Sequence, residues 1–216
     1  MQLRELDIDT RLILTGMIVD KLKDGDMEGV RRYLRNIDES LIGQFKKLSA
    51  NPTFMLGFIR DVVDGITGKG RDGNIQKLSE LAYQQLKLFD EKVISDTTVK
   101  QLAGGYRQYY QPSLNEINHI YENYFVNFIF AKLFYTHKYL DAYFLMVFFY
   151  TLIRFFTVCT CMAEERQADE NVVVAVIHTI VKGIGHNKSF YKDILKQLKQ
   201  GNYHRLPYMI SLIKHP

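Results

Sequence analysis

The chain has 216 residues, a net charge of +4 and a hydrophobic fraction of 47%. This length and composition supply enough apolar surface for a sizeable core and exclude an intrinsically disordered chain. The basic excess is small and spread along the sequence, so it argues against a nucleic-acid-binding footprint and contributes mainly to solubility.

The two cysteines of the chain, Cys159 and Cys161, lie in the sequence VCTC. On a helix this spacing directs the two thiols to different sides, so they are poorly placed to form a disulfide. Two cysteines are also too few for a four-cysteine zinc or iron–sulfur site. We therefore expect reduced thiols and a cytoplasmic protein.

Apolar residues recur at helical spacing from the N-terminus onward. Charged residues interrupt the N-terminal stretch, which excludes the continuous apolar core of a secretory signal. The stretch from Leu3 to Leu22 predicts a first helix, ended by the sequence DGD at 24–26. The apolar positions from Val30 to Leu48 predict two short helices with a break near Asp38.

The clearest predicted loop is TGKGRDGN, Thr67 to Asn74, which follows a helix that begins at Pro52 or Thr53. This loop resembles a phosphate-binding loop only superficially, because it lacks the full glycine–lysine–Ser/Thr pattern and follows a helix instead of a strand. We expect a single domain over residues 1–216, with a loose boundary at this loop.

Polar residues mark the starts of the next helices. An amphipathic helix begins at Ile75, and Ser95 or Asp96 is placed to cap the helix that follows it. Ser113 and Glu116 have the spacing of a capping box, in which a hydroxyl and a carboxylate satisfy backbone N–H groups at a helix start. This box is predicted to open the helix that carries the most distinctive sequence of the chain.

The most apolar segment runs from Tyr139 to Met162 and is interrupted by Arg154. Its clean part, Ala142 to Ile153, is too short to span a bilayer, which takes ~20 residues. If the segment is counted through Arg154, it is long enough to span a bilayer. A central Arg costs roughly 3 kcal/mol on insertion, which the apolar neighbours offset. A buried central helix is favoured, because the remainder of the chain consists of amphipathic helices.

The last third of the chain also follows the helical period. Asp169 or Asn171 starts a helix that runs through Val181, although its β-branched run NVVVAVIHTIV is the weakest helical pattern in the chain. Another helix starts at Asn187 or Ser189.

Gly201 ends that helix at a position where a left-handed glycine cap is expected, and Pro207 begins a short final helix. No alternating strand pairs or hairpin turns occur in the sequence. The predicted architecture is an all-α bundle of roughly eight to ten helices.

One predicted helix mixes aromatic residues with amides and a carboxylate. At about 100° per residue, six residues share one seam of this helix: Glu116, His119, Asn123, Asn127, Phe130 and Phe134. A seam that changes from polar to aromatic predicts a helix whose polar half borders a cleft or a partner and whose far half is buried. Glu122 points away from this seam. The alternative is that these polar side chains simply face water, as they usually do on half-exposed helices.

The sequence GIGHNK places His186 and Asn187 at a glycine-rich break before a helix. Backbone N–H groups at such a helix start can hold an anion, but a plain connection in which Asn187 caps the helix is the commoner arrangement. The six histidines show no paired metal-ligand spacing, and no serine or cysteine lies in a recognisable nucleophile motif.

The segment YENYFVNFIFAKLF, Tyr121 to Phe134, resembles the ENYLVNYIF-type signature in the C-terminal half of the bacterial flagellin lysine-N-methylase family. Three further segments are similar to the family in the same order. Arg11 to Leu22 resembles its RL…LG helix, Gly185 to Leu195 resembles its EHN segment, and Leu206 to Lys214 resembles its closing helix. Gly185 stands where the family often has Glu.

The resemblance implies methyl transfer from S-adenosylmethionine to lysine ε-amino groups, with flagellin as the protein substrate. Such an enzyme must deprotonate the lysine ammonium and hold a cationic sulfonium, which carboxylates and aromatic faces do well. The motif residues then divide into expected catalytic residues, Glu122 and Tyr124, and expected substrate- or cofactor-binding residues, Asn123, Asn127, His186 and Asn187. Glu122 is the expected carboxylate partner of a cation, and the Asn residues orient the substrate.

The family also carries an upstream cysteine-rich region that looks built to hold an iron–sulfur cluster, and this sequence lacks those cysteines. The expectation is a helical part of a longer architecture, without a cluster of its own and inactive on its own. Two other interpretations stay open: a non-catalytic module that binds a protein or peptide in an aromatic groove, and a small membrane-associated protein that uses Tyr143 to Ala163.

Overall fold

The computed structural model describes residues 6–22, 25–67, 73–87, 94–132, 139–185, 188–201 and 203–215. Its α-helices, in chain order, are α1 (Ile8–Leu22), α2 (Met27–Arg35), α3 (Glu39–Lys46), α4 (Pro52–Thr67), α5 (Gly73–Leu86), α6 (Asp96–Gly105), α7 (Leu114–Lys132), α8 (Tyr139–Glu164), α9 (Glu170–Ile180), α10 (Lys188–Gln200) and α11 (Leu206–Ile213). These residues contain no strand, and the predicted all-α bundle is confirmed. Residues 68–72, within the predicted loop and domain boundary, lie outside the described residues.

Short non-α turns extend two of the helices. A π-helical turn, Tyr106–Tyr110, and a 3-10 turn, Gln111–Ser113, connect α6 to α7. A second π-helical turn, Val181–Gly185, continues α9. Because the backbone stays helical through these turns, the path from α6 to α7 contains no extended loop.

Helix α8 is the centre of the bundle. Every residue from Ala142 to Cys159 is buried, and α1, α5, α6, α7, α9, α10 and α11 all contact it. The helix is long and apolar enough to cross a membrane, but 94% of its most apolar window is buried inside the protein. A helix that is hydrophobic on all sides belongs in a core, so the other helices take the place that lipid would have.

Arg154 is the charged residue within this buried stretch, and it is bonded to the end of α11. Its Nη2 donates hydrogen bonds to the carbonyls of Leu212 at 3.0 Å and Lys214 at 3.3 Å, and its Nη1 donates to the carbonyl of Ile213. The last carbonyls of a helix lack partners in the helix itself, and a cation there also interacts favourably with the helix dipole. Arg154 therefore caps α11 from within the core.

The same guanidinium also meets the first helix. Arg154 Nη1 lies 3.5 Å from Asp9 Oδ1 and 3.4 Å from the hydroxyl of Tyr150, which itself donates to Asp9 Oδ1. One turn of α8 thus carries two polar groups that meet one carboxylate of α1. We call Asp9, Tyr150 and Arg154 the core polar cluster; it joins the first, central and last helices.

Three helix starts agree with the sequence predictions. Asp38, Ser95 and Asp169 cap α3, α6 and α9 by accepting a hydrogen bond from the backbone N–H three residues later, at 2.8, 3.2 and 2.9 Å. Side chains of this kind satisfy N–H groups that have no partner within the helix. The cap at Asp169 also starts the β-branched α9, which is helical despite its weak intrinsic preference.

Two predicted helix ends differ in the structure. Ser113 is the last residue of the 3-10 turn and α7 follows at once from Leu114, so the predicted capping box does not open a separate helix. Gly201 follows α10 as predicted but has no left-handed backbone; a Cβ there would lie 2.2 Å from the ring of Tyr203, so the glycine permits a close approach. A left-handed glycine occurs instead at Gly25, after α1, with φ of +73°.

We expect Arg154→Met to lower the free energy of unfolding by roughly 3–5 kcal/mol, because Asp9 would stay buried without its cationic partner and the end of α11 would lose its donors. Urea denaturation measures this change. Adding Asp9→Asn to the same chain should recover part of the loss, since it removes the uncompensated charge. The exposed Arg32→Met is the matched control and should change stability by about 0.5 kcal/mol or less. A loss below about 1 kcal/mol for Arg154→Met would show that the core polar cluster is not a main support of the fold.

Candidate functional site

A polar groove lies where α1 meets α7. It encloses about 460 Å³ and is lined by Leu6, Asp7, Arg11, Lys46, Asn115, Asn118, His119 and Glu122. We call it the α1–α7 groove. Its volume is in the roughly 300–1,000 Å³ range of ligand sites, but its walls are charged groups and amides instead of the usual apolar surface. Such a lining suits a polar, charged ligand.

The start of α1 forms one wall of this groove. Asp7 caps the helix by accepting hydrogen bonds from the Thr10 backbone N–H at 2.8 Å and from the Thr10 hydroxyl at 3.0 Å. Arg11 Nε donates to the carbonyl of Leu6 at 2.9 Å, which fixes the direction of the guanidinium. Its Nη1 then lies 3.1 Å from Glu122 Oε2 of α7.

Glu122, an expected catalytic residue, is therefore half-buried and already paired. Its side chain is 35% exposed and that of Arg11 is 20% exposed. A carboxylate held this way is oriented towards the groove, and the fixed Arg11 guanidinium partly neutralises its negative charge. It can accept hydrogen bonds from a ligand, but it attracts a second cation less strongly than a lone carboxylate would.

Asn118 lies one turn before Glu122 and has an unsatisfied acceptor. Its Oδ1 is buried and has no hydrogen-bond partner among the described atoms, yet the residue lines the groove. A buried acceptor without a donor costs about 1–3 kcal/mol, so a donor from a ligand would be favourable here. The sequence did not single out Asn118; the signal was its helical spacing with Asn115 and Glu122, which places the three on one face.

The seam of α7 that continues beyond His119 is a solvent face. Asn123 and Asn127, expected binding residues, are exposed, and neither lines the α1–α7 groove. Phe130 is 60% exposed, so the predicted burial of the far half of the seam is wrong at this residue. Phe134 lies outside the described residues. The physical reason is that α7 buries a different face, including Tyr121, against α8.

The aromatic residues of the signature belong mainly to the core. Tyr121 is fully buried and its ring meets that of Tyr150 edge-on at 5.5 Å between centroids. Phe125 contacts the same Tyr150 ring at 5.8 Å. The aromatic part of the signature thus docks α7 onto α8, and this docking sets the direction in which Glu122 points.

Tyr124, the other expected catalytic residue, is half-buried away from the groove. Its ring packs against Phe125 at 5.1 Å and Phe128 at 6.5 Å between centroids. Burial raises the pKa of its phenol well above the usual value, and the nearby Tyr191 raises it further. Tyr124 is therefore a neutral phenol at physiological pH and can donate a proton only in a hydrogen bond.

His186 and Asn187 lie outside the described residues, so their predicted roles stay predictions. The chain on either side of them is tied together, because the hydroxyl of Tyr191 in α10 donates to the carbonyl of Gly185. This bond brings the start of α10 back to the end of the π-helical turn after α9.

The two thiols do not suit an iron–sulfur cluster. Cys159 and Cys161 are both buried in α8, and burial raises the pKa of each thiol, that of Cys161 to about 11. Among the described residues, no group of three His, Cys, Asp or Glu side chains is placed to hold a metal ion. Cluster ligation requires accessible thiolates, which these positions disfavour.

We expect Asn118→Leu to raise the free energy of unfolding by about 1 kcal/mol, because it replaces an unsatisfied buried acceptor with an apolar group of similar size. Thermal and urea unfolding give this value. Asn115→Leu, at an exposed position of the same groove, is the control and should stay within about 0.5 kcal/mol of the wild type. A clear destabilisation by Asn118→Leu would mean that its amide supports the fold.

Neither thiol should react with Ellman's reagent in the native protein at neutral pH. Both groups are buried, and their raised pKa values leave almost no thiolate, the reactive form. Both should react after unfolding in guanidinium, which serves as the internal control. Rapid labelling of one thiol under native conditions would show that α8 is open to solvent at its C-terminal end.

Comparison with known proteins places these features in a family. Residues 1–212 match the model of the FliB lysine N-methylase C-terminal domain. This range contains the α1–α7 groove and helices α1 to α10, and it ends one residue before the end of α11. No curated protein matches the chain, and neither does any solved structure. The chain therefore belongs to the FliB lysine N-methylase C-terminal domain family, as the signature from Tyr121 to Phe134 predicted.

Proposed function

We propose that this chain is the helical domain of a cytoplasmic protein-lysine N-methyltransferase, which moves a methyl group from S-adenosylmethionine to lysine ε-amino groups of flagellin. The observation that carries the proposal is the family match over residues 1–212. The resemblance of the Tyr121 to Phe134 segment to the flagellin lysine-N-methylase signature supports the choice of substrate.

The α1–α7 groove is the best place in the described chain for the substrate lysine. A lysine ammonium carries three N–H donors. The groove offers the unpartnered Asn118 Oδ1 and the carboxylates of Glu122 and Asp7 as acceptors. The Asn118 amide oxygen is the acceptor that is not already engaged within the described chain, so it gains most from a hydrogen bond donated by the ammonium.

Glu122 is assigned as the partner that positions the ε-nitrogen. In water a lysine ammonium has a pKa of about 10.4 and a glutamate about 4.3, so a carboxylate cannot take its proton there. Burial of the substrate lysine lowers its pKa and narrows this gap. Arg11, at 3.1 Å from Glu122, keeps the carboxylate in place, so Glu122 holds the ε-nitrogen while solvent water takes up the ammonium proton.

When bound, S-adenosylmethionine would supply an electrophilic methyl group on its sulfonium. The neutral amine would take this methyl group as the C–S bond breaks and the thioether S-adenosylhomocysteine leaves. The carboxylates of the α1–α7 groove fit a sulfonium, but among the described lining residues the only apolar side chain is Leu6 and the only ring is the polar imidazole of His119. An adenine ring needs an apolar surface on which to lie. The groove therefore fits a lysine-bearing segment better than the whole donor. The buried Cys159 and Cys161 thiols do not fit the implied iron–sulfur cluster, and no step is assigned to it.

A non-catalytic module that binds a protein segment is the second candidate. The Arg11–Glu122 ion pair favours it, since a carboxylate already neutralised by a cation is a better recognition element than a base. The exposed Val126 and Phe130 on α7 add apolar surface for a partner. Both candidates use the α1–α7 groove; the binding module adds the neighbouring apolar surface of α7, and only the enzyme transfers a methyl group.

Co-expression of the chain with flagellin and with the cysteine-rich region that the family resemblance implies tests the proposal, with methylated lysines measured by mass spectrometry. We expect methylated lysines with the wild type and a roughly tenfold lower methyl content with Glu122→Gln, because a charged hydrogen-bond partner of the ammonium is lost. The exposed Glu116→Gln lies on the same helix outside the groove lining and is the matched control.

The two candidate functions give different results in this experiment. Flagellin that co-purifies with the protein but carries no methyl groups would support the binding module. Absence of both binding and methylation would overturn both candidates. Equal methylation by the wild type and Glu122→Gln would leave the enzyme proposal standing and remove Glu122 from it.

A further inference from the structure

A second groove lies between the C-terminal end of α8 and α9, on the side that faces α5. It encloses about 280 Å³ and is lined by Leu78, Thr160, Glu164, Arg166, Asn171, Val172, Ala175, Val176 and Thr179. We call it the α8–α9 groove. Ligand pockets usually measure roughly 300–1,000 Å³, so this groove suits a fragment-sized ligand or one part of a larger ligand.

The groove combines an apolar wall with a fixed, planar cation. Val172 and Val176 are buried residues of α9 that line it. Arg166 Nε lies 3.4 Å from Glu164 Oε2, and its Nη2 donates to Asp169 Oδ2 at 2.8 Å. Two carboxylates thus hold the edge of the guanidinium and fix its plane. Guanidinium faces stack on planar aromatic rings, so a flat ring can lie between this cation and the aliphatic wall.

The backbone also fixes Arg166 in place. Glu165 has a left-handed φ of +49° where α8 ends, and the Arg166 N–H donates to the carbonyl of Cys161 at 3.1 Å. This is the pattern of a helix end closed by a left-handed residue. The position of the guanidinium therefore follows from the helix end itself as well as from the two ion pairs.

Two polar groups give the groove a hydrogen-bonding edge. The Thr160 Oγ1 lines the groove, is buried, and has no hydrogen-bond partner among the described atoms. Asn171 is exposed at the rim. An asparagine amide pairs with the N6 and N7 edge of adenine, and carboxylates such as that of Glu164 accept hydrogen bonds from ribose hydroxyls.

We propose that the α8–α9 groove binds an adenine nucleoside. The ring stacks on Arg166, the Thr160 hydroxyl and the Asn171 amide meet its polar edge, and Glu164 accepts from the ribose. An apolar side chain of a partner protein is a poorer occupant, because it would leave the Thr160 hydroxyl without a partner. The nucleoside is then the adenosyl part of S-adenosylmethionine, an identification that rests on the proposed function.

The two grooves are joined by one contact between exposed polar side chains. His119 lines the α1–α7 groove, and its Nε2 lies 3.3 Å from Oε1 of Glu170, which directly precedes Asn171 in α9. The wall of the proposed lysine groove is therefore bonded to the helix that forms the proposed nucleoside groove.

Calorimetric titration of the 216-residue chain with S-adenosylhomocysteine and with adenosine tests the proposal. Ala175→Phe fills the groove from an exposed position and should abolish binding of both ligands. Val174→Phe, one residue earlier and outside the lining, is the matched control and should bind as the wild type does. Thr160→Val removes one hydroxyl and should weaken binding roughly tenfold. Guanosine should bind roughly tenfold more weakly than adenosine. Equal thermal unfolding of the two phenylalanine variants confirms that both are folded.

Each outcome decides the proposal. Binding that is lost in Ala175→Phe and kept in Val174→Phe supports it. S-adenosylhomocysteine binding that neither Ala175→Phe nor Thr160→Val alters overturns it and leaves the proposed function intact, since the donor then binds elsewhere. No binding of either ligand to the wild type also overturns it. The flagellin methylation experiment leaves the residues of this groove unchanged and varies only Glu122, so it judges the proposed function separately.

Discussion

The bonds made by the buried guanidinium of Arg154 hold the ends of this bundle to its middle. One side chain of α8 donates to three successive carbonyls at the end of α11 and faces the Asp9 carboxylate of α1. An unpaired charge at such a place would be prohibitively costly, so the cation is tolerated only with all these partners present. The first and last helices are therefore both fixed with respect to α8.

This constraint also determines the geometry of the α1–α7 groove. Asp9 faces the core, whereas Asp7 and Arg11, on either side of it along the chain, line the groove. Asp9 thus fixes the rotation of α1, and the rotation decides that Arg11 points at Glu122. The aromatic residues of α7 fix the opposite wall by packing on α8. The geometry of the groove therefore depends on two contacts behind it: the ionic contact of Asp9 in the core and the aromatic packing of α7 on α8.

The features that the sequence predicted correctly are those that depend on contacts between residues close together in the chain. Helix starts at Asp38, Ser95 and Asp169 require only a side chain and a backbone group three residues apart, so a short pattern reveals them. Helix α9 shows that tertiary burial of Val172 and Val176 overrides a weak helical preference. The class of the fold and the family both follow from such local patterns.

The remaining features depend on partners that are remote in the sequence. Arg154 was seen only as a cost to membrane insertion, because Asp9 is 145 residues away and Leu212 is 58 away. The seam on α7 was assigned a buried end, because a period of about 100° shows which residues share a face but not which face meets α8. The orphaned Asn118 acceptor was missed for the same reason.

The distribution of polar groups also explains why both grooves lie at the edges of the bundle. Among the described residues, the core is filled by the side chains of α8 and the rings packed on it, and the cavity beside Arg154 measures only about 10 Å³. Within the described chain, Asn118 Oδ1 and Thr160 Oγ1 are unpartnered atoms that line these two grooves, whereas the unpartnered phenols of Tyr110, Tyr121 and Tyr143 lie in the core and line neither groove. An unpartnered polar atom that lines a groove lowers stability, and a ligand that supplies the missing hydrogen bond restores part of that free energy. The two grooves are for this reason the places where binding would be coupled most directly to the stability of the bundle.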